Sequence, residues 1–107
     1  MAKRTPSPSI TEPIAEDAVH RLVSALKKCG RPDLAESLCF EVTRNYVYIA
    51  DAQGGPLCRL RYTGDPDYWV LNMFKWSTER YDTRNDFGFG GGTPSECVDA
   101  LLRGYRL

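Results

Sequence analysis

The sequence predicts one α+β domain: a helix, a four-stranded antiparallel meander, and a closing helix, with both helices on one face of the sheet. Three observations point to it. From Cys39 to Trp76 apolar and polar residues alternate with period two, the signature of strands with one buried face. On either side, apolar residues recur at three- and four-residue spacing, the signature of amphipathic helices. The 107 residues suit a single core.

Residues 1–11 are rich in Pro, Ser and Thr and carry Lys3 and Arg4. They hold too few apolar groups to bury, so they read as a flexible arm, with the domain running over 12–107. Thr11-Glu12-Pro13 opens the first helix, with Thr11 placed to cap free N–H groups and Pro13 tolerated in the first turn. Ala15, Ala18, Val19, Leu22, Ala25, Leu26 and Cys29 make its apolar stripe. Gly30 is a natural stop and Pro32 lies just beyond. A short helical turn over Pro32–Leu38 then leads into the sheet.

A one-residue slip inverts a strand, so register can be tested against the turns. A two-residue turn at Arg44-Asn45 sets Val42 opposite Val47 and Phe40 opposite Ile49. One at Gln53-Gly54 sets Ile49 opposite Cys58 and Val47 opposite Leu60. A four-residue loop, Gly64-Asp65-Pro66-Asp67, sets Leu60 opposite Leu71, Tyr62 opposite Trp69 and Cys58 opposite Met73. The expected core face is therefore Phe40, Val42, Val47, Ile49, Cys58, Leu60, Tyr62, Trp69, Leu71 and Met73.

Ser77–Tyr81 reads as an extended end or the start of a loop, and residues 82–93, with the run Phe87-Gly88-Phe89-Gly90-Gly91-Gly92, as a long flexible loop. Thr93-Pro94-Ser95-Glu96 is a capping box with Pro at the first helical position. Val98, Leu101, Leu102 and Tyr105 give the closing helix its apolar face.

Composition narrows function. Lys plus Arg equals Asp plus Glu at 14 each, which argues against a domain that binds nucleic acid by bulk charge and puts little repulsion between copies. Cys29, Cys39, Cys58 and Cys97 contain no CxxC pair and His20 is the one histidine, so no zinc spacing and no cofactor is expected. Met1-Ala2-Lys3-Arg4 leads into Thr5-Pro6-Ser7, not an apolar run, and no stretch approaches a membrane span. A cytoplasmic protein with reduced thiols is expected.

The face opposite the core carries the candidate binding residues Tyr46, Tyr48, Arg59, Arg61, Asn72, Phe74 and Trp76. Its central row is Glu41, Tyr48, Arg59, Asn72, beside a row of Thr43, Tyr46, Arg61, Val70. Arg beside Tyr combines stacking with charge, and Asn72 needs a hydrogen-bond partner if buried. The plain reading is that these pairs solvate an exposed sheet. Tyr68, Val70, Phe74 and Trp76 speak against it, as an apolar end to the face that another copy can cover. The alternative is a small-ligand pocket, or a minor enzyme, between this face and the glycine-rich loop. That loop lacks the phosphate-binding GxxxxGK[ST] pattern. Catalysis by a Cys–His pair is disfavoured, because His20 falls on the polar side of the first helix and Cys39 on the open face. A nucleic-acid module is a third reading. The order helix, sheet, helix resembles the double-stranded RNA-binding domain, whose last helix starts with lysines. Here it starts Thr93-Pro94-Ser95-Glu96-Cys97, without that phosphate anchor.

Pro56-Leu57-Cys58-Arg59-Leu60, Gly64-Asp65, Trp69, Trp76-Ser77-Thr78-Glu79-Arg80-Tyr81 and Gly92-Thr93-Pro94 together resemble short uncharacterised bacterial proteins of α+β type, over residues 56–107. The resemblance implies the same fold and a bacterial origin, and it assigns no activity. The functional expectation is a small non-enzymatic interaction protein, homodimeric through its aromatic and basic sheet face.

Overall fold

The computed structural model describes residues 8–83 and 89–105. Most of the expected arm, and residues 84–88 of the glycine-rich loop with Phe87 among them, lie outside the described residues. The chain runs α1 (Glu12–Lys28), α2 (Pro32–Ser37), β1 (Cys39–Val42), β2 (Tyr46–Ala50), β3 (Pro56–Tyr62), β4 (Trp69–Lys75), β5 (Arg80–Tyr81), β6 (Gly91–Gly92) and α3 (Pro94–Tyr105). It is α+β, as the alternation and the flanking helical stripes require.

β1 to β4 form the expected antiparallel meander, in the expected register. Val42 faces Val47, Val47 faces Leu60, Leu60 faces Leu71, and Tyr62 faces Trp69. At the first turn Thr43 bonds Tyr46 through both its backbone N–H and its hydroxyl, which closes a two-residue loop at Arg44-Asn45. The second turn departs from expectation. Ile49 still faces Cys58, but Ala50 faces Pro56, so Leu57 is an extra residue in β3. Asp51 accounts for this. Its carboxylate accepts the Gln53 N–H at 3.0 Å. It also accepts the Gly55 N–H at 2.8 Å. The two bonds organise a longer loop, from Asp51 to Gly55, than the two-residue turn expected. The bulge turns Leu57 into the core beside Cys58.

Among the described residues the sheet has six strands, where the sequence predicts four. β5 and β6 both pair antiparallel with the outer edge of β4, with Tyr81 opposite Phe74 and Gly91 opposite Val70. They act as one interrupted edge strand. Asp82 N–H donates to the Met73 carbonyl at one end of the interruption, and Leu71 N–H donates to the Gly90 carbonyl at the other. Gly91 and Gly92 are therefore ladder residues rather than the end of a flexible loop. Gly91 is needed there because a Cβ at that position would run into the Trp69 carbonyl.

α1 and α3 cover one sheet face around Leu22, Leu26, Val47, Leu60, Trp69, Val98 and Leu101. Trp69 sits at the centre, fully buried, with its indole N–H donated to the Pro66 carbonyl at 2.9 Å. The α3 capping box forms: Thr93 N–H reaches the Glu96 carboxylate and Glu96 N–H reaches the Thr93 hydroxyl. Thr11 is the N-cap of α1, but only its carbonyl bonds, accepting from Ala15 N–H; its hydroxyl makes no cap bond.

Other expectations change locally. Val42, expected in the core, ends the outermost strand of the meander and is exposed. Cys29, expected in the α1 stripe, is exposed as the C-cap. Residues 8–10, expected to be arm, run along the β1–β2 turn. Ile10 N–H donates to the Arg44 carbonyl, Asn45 donates to the Pro8 carbonyl, and Ile10 packs on the core.

Candidate functional site

The face turned away from the helices is assembled from β2, β3, β4 and β5. Alternation from the Thr43–Tyr46 closure sends Tyr46 and Tyr48 to this side, and pairing sets Tyr48 against Arg59, Arg59 against Asn72, and Tyr46 against Arg61. The rows read from the sequence are the rows observed.

Arg59 is the centre of the face. Its guanidinium carbon lies 4.4 Å from the centroid of Tyr46 and 4.7 Å from that of Tyr81, so a ring sits close on each side. Its Nε–H donates to Asn72 Oδ1 at 3.2 Å. Such stacking fixes the direction of a guanidinium. Its Nη groups find no acceptor among the described residues, and no side-chain nitrogen there is both buried and unpartnered, so they reach solvent.

Asn72 is 8% exposed, and its amide is fully used. Oδ1 accepts from Arg59, while Nδ2 donates to the carbonyls of Asp82 (3.1 Å) and Leu71 (3.3 Å). The polar residue in an apolar strand thus ties the face to the point where β5 ends. Asp82, beside it, is also buried.

The rings form a ladder. Tyr46 and Tyr48 lie 5.6 Å apart, Tyr48 and Tyr81 5.8 Å, Tyr81 and Phe74 5.1 Å, and Phe74 and Trp76 4.9 Å. The last three contacts are edge-to-face, a geometry that gains beyond area burial. Four of these rings are half-buried against one another and Arg59. Trp76, at the end, is 55% exposed. Burial raises the Tyr81 phenol above its ordinary pKa, with Tyr48 adding to the effect and Arg59 opposing it, so it stays protonated at neutral pH.

Behind the ladder, Tyr105 of α3 donates its hydroxyl to the Phe74 carbonyl at 2.6 Å and so anchors the Trp76 end of β4 to the helical layer. Burial pushes that phenol up to about 12, with the Trp76 side chain opposing.

Six of the seven expected binding residues share this network or, for Trp76, cap it. Arg61 does not: it is exposed and makes no ion pair or hydrogen bond among the described residues. Tyr68, expected at the apolar end with Trp76, precedes β4 while Trp76 follows it, so the two sit at opposite ends of that strand. Sequence reasoning does not reach Tyr81. The signal is there, because Trp76-Ser77-Thr78-Glu79 makes a four-residue hairpin loop that brings Tyr81 opposite Phe74.

The thiols offer little chemistry. Cys58 and Cys97 are buried, and burial pushes both up, Cys97 to about 12, which holds them protonated and poorly nucleophilic. Among the described residues no group of three or more His, Cys, Asp and Glu could hold a metal ion. No helix there is long and apolar enough to cross a membrane. Two shallow recesses lie on the helical side, one by Cys29, Phe89 and Arg103 and one by His20, Ser24 and Lys28, away from the aromatic face. Comparison with protein-family models, curated proteins and solved structures finds no match to this chain.

Proposed function

We propose that this chain is a non-enzymatic interaction protein that pairs with a second copy of itself through the aromatic sheet face. The observation that carries this is the ring ladder from Tyr46 to Trp76, fixed around Arg59 and ending in an indole that is 55% exposed. Trp, Tyr and Arg are the residues that dominate interface energetics, because they bury much area for little lost rotamer freedom. Here their rotamers are already held by one another and by Asn72, so pairing orders little that is not ordered in the single chain. Equal numbers of basic and acidic residues, 14 of each, leave no net repulsion between copies. Residence in a reducing, cytoplasmic compartment suits the exposed Cys29 and Cys39.

The test is mass in solution. The unaltered chain should scatter light as a dimer at micromolar concentration. Trp76→Ala should raise the dissociation constant by about 30-fold, the size of one interface hot spot, with the circular dichroism spectrum unchanged. Phe74→Asp should give a monomer. Equal masses for all three proteins would refute the reading.

A further inference from the structure

The hairpin joining β4 to β5 carries two groups that the chain itself leaves largely open. Trp76 is 55% exposed. Glu79 is exposed and makes no ion pair among the described residues, and its φ is +54°, the one positive φ there outside glycine. A left-handed glutamate is uncommon, because its Cβ crowds the following carbonyl; Gly or Asn is the usual choice at such a position. The fold therefore holds an acidic side chain at the hairpin tip where glycine would be easier.

The complementary group is Arg59, at the centre of the aromatic face. Arg59 has aromatic rings on both sides and its Nε committed to Asn72, which leaves its outer Nη groups as a fixed donor edge without an acceptor among the described residues. A stacked guanidinium with a free edge is suited to a carboxylate, which it can receive with two parallel hydrogen bonds. The phenol rings around it provide apolar walls for a flanking aromatic group. The hairpin and the donor edge are linked through Trp76, Phe74, Tyr81 and Arg59 in successive contact.

We infer that Arg59 of each copy receives Glu79 of the second copy, with Trp76 of the same hairpin packing on the surrounding tyrosines. A two-fold axis passing between tip and donor edge makes the exchange reciprocal, so one geometry satisfies both pairs. This deepens the pairing proposed above and rests on it.

Two substitutions at one position test it, read by sedimentation equilibrium and thermal melting. Glu79→Gln removes the charge and keeps the strained backbone. Glu79→Gly removes the charge and the strain. Both should raise the dimer dissociation constant about tenfold, the loss of two partly solvated ion pairs. Glu79→Gly should at the same time leave the single chain's melting temperature unchanged or higher, since glycine suits a positive φ. Weaker pairing with an undiminished fold is not what a merely structural glutamate would produce. Glu16→Gln, exposed on α1 and away from the sheet face, should leave the constant within twofold. If the unaltered chain dimerises and Glu79→Gln changes nothing, the ion pair is wrong and the pairing stands. If Glu79→Gly weakens pairing and Glu79→Gln does not, backbone shape and not charge is responsible, which also overturns it. A chain that stays monomeric overturns both proposals.

Discussion

Asn72→Leu is the sharpest test of how the aromatic face is held. The two side chains are close in volume, so the change removes hydrogen bonds and leaves little void. It deletes the acceptor of the Arg59 Nε–H and the donor to the Asp82 carbonyl. A bond to a charged group contributes about 1.5 kcal/mol at the low end of its range, which suits a 3.2 Å, half-buried contact. The neutral bond to Asp82 adds about 1 kcal/mol, and leucine's extra apolar burial returns about 0.5 kcal/mol, leaving a net loss of about 2 kcal/mol. With a urea slope of about 1.2 kcal/mol/M, the unfolding midpoint should fall by about 1.7 M with the slope itself unchanged. Far-ultraviolet circular dichroism in urea measures this. Hydrogen exchange localises it, because Asp82 N–H, bonded to the Met73 carbonyl at 2.6 Å, should lose protection before the centre of β3 does. A loss below about 0.5 kcal/mol would show that Arg59 is held by its two rings alone and that Asn72 is not the tie described above.

Two further outcomes follow from burial. In the native protein a thiol reagent should label the exposed Cys29 and Cys39 promptly, and the fully buried Cys58 and Cys97 only on unfolding; four equal rates by mass spectrometry would contradict the core. Tyr105→Phe should cost about 1 kcal/mol at neutral pH through the lost bond to the Phe74 carbonyl. It should also flatten the alkaline limb of stability. The folded-state pKa is raised to about 12 from about 10, so the tyrosine's contribution is complete below about pH 10 and is lost as pH rises toward about 12. Cys58, Cys97 and Tyr81 are raised as well and weaken both proteins at high pH, so the reading is the difference between the two stability curves, which should narrow only between about pH 10 and about pH 12. A constant difference across that window would contradict it.

The meander is legible because its strands are long enough for alternation to repeat and its turns short enough to fix register. Val47, Leu60 and Leu71 lie where a period of two puts them, and the row Tyr48, Arg59, Asn72 follows from the same count. Legibility fails where the signal is shorter than its period. Arg80–Tyr81 and Gly91–Gly92 contain two residues each and cannot show alternation, so the first reads only as an extended end or the start of a loop and the second as loop. It also fails where a side chain resets the backbone. Asp51 binds two loop N–H groups, and the resulting bulge at Leu57 is invisible to a count that assumes one residue opposite one.

The unforeseen strand β5 changes the physical meaning of the face. Without Tyr81, Arg59 is an exposed cation beside two tyrosines on a solvated sheet. With it, a second ring closes on the guanidinium, and Tyr81 also bridges Tyr48 to Phe74. The cluster that results is half-buried and continuous, and only its end, Trp76, is largely left to solvent. A sheet surface that solvates itself has no need to fix an arginine between two rings, to commit a buried asparagine to holding its Nε, and to leave an indole outward at the tip of a hairpin strained at Glu79. Those features are the ones the proposed pairing would use, and the donor edge of Arg59 has the geometry to receive a carboxylate.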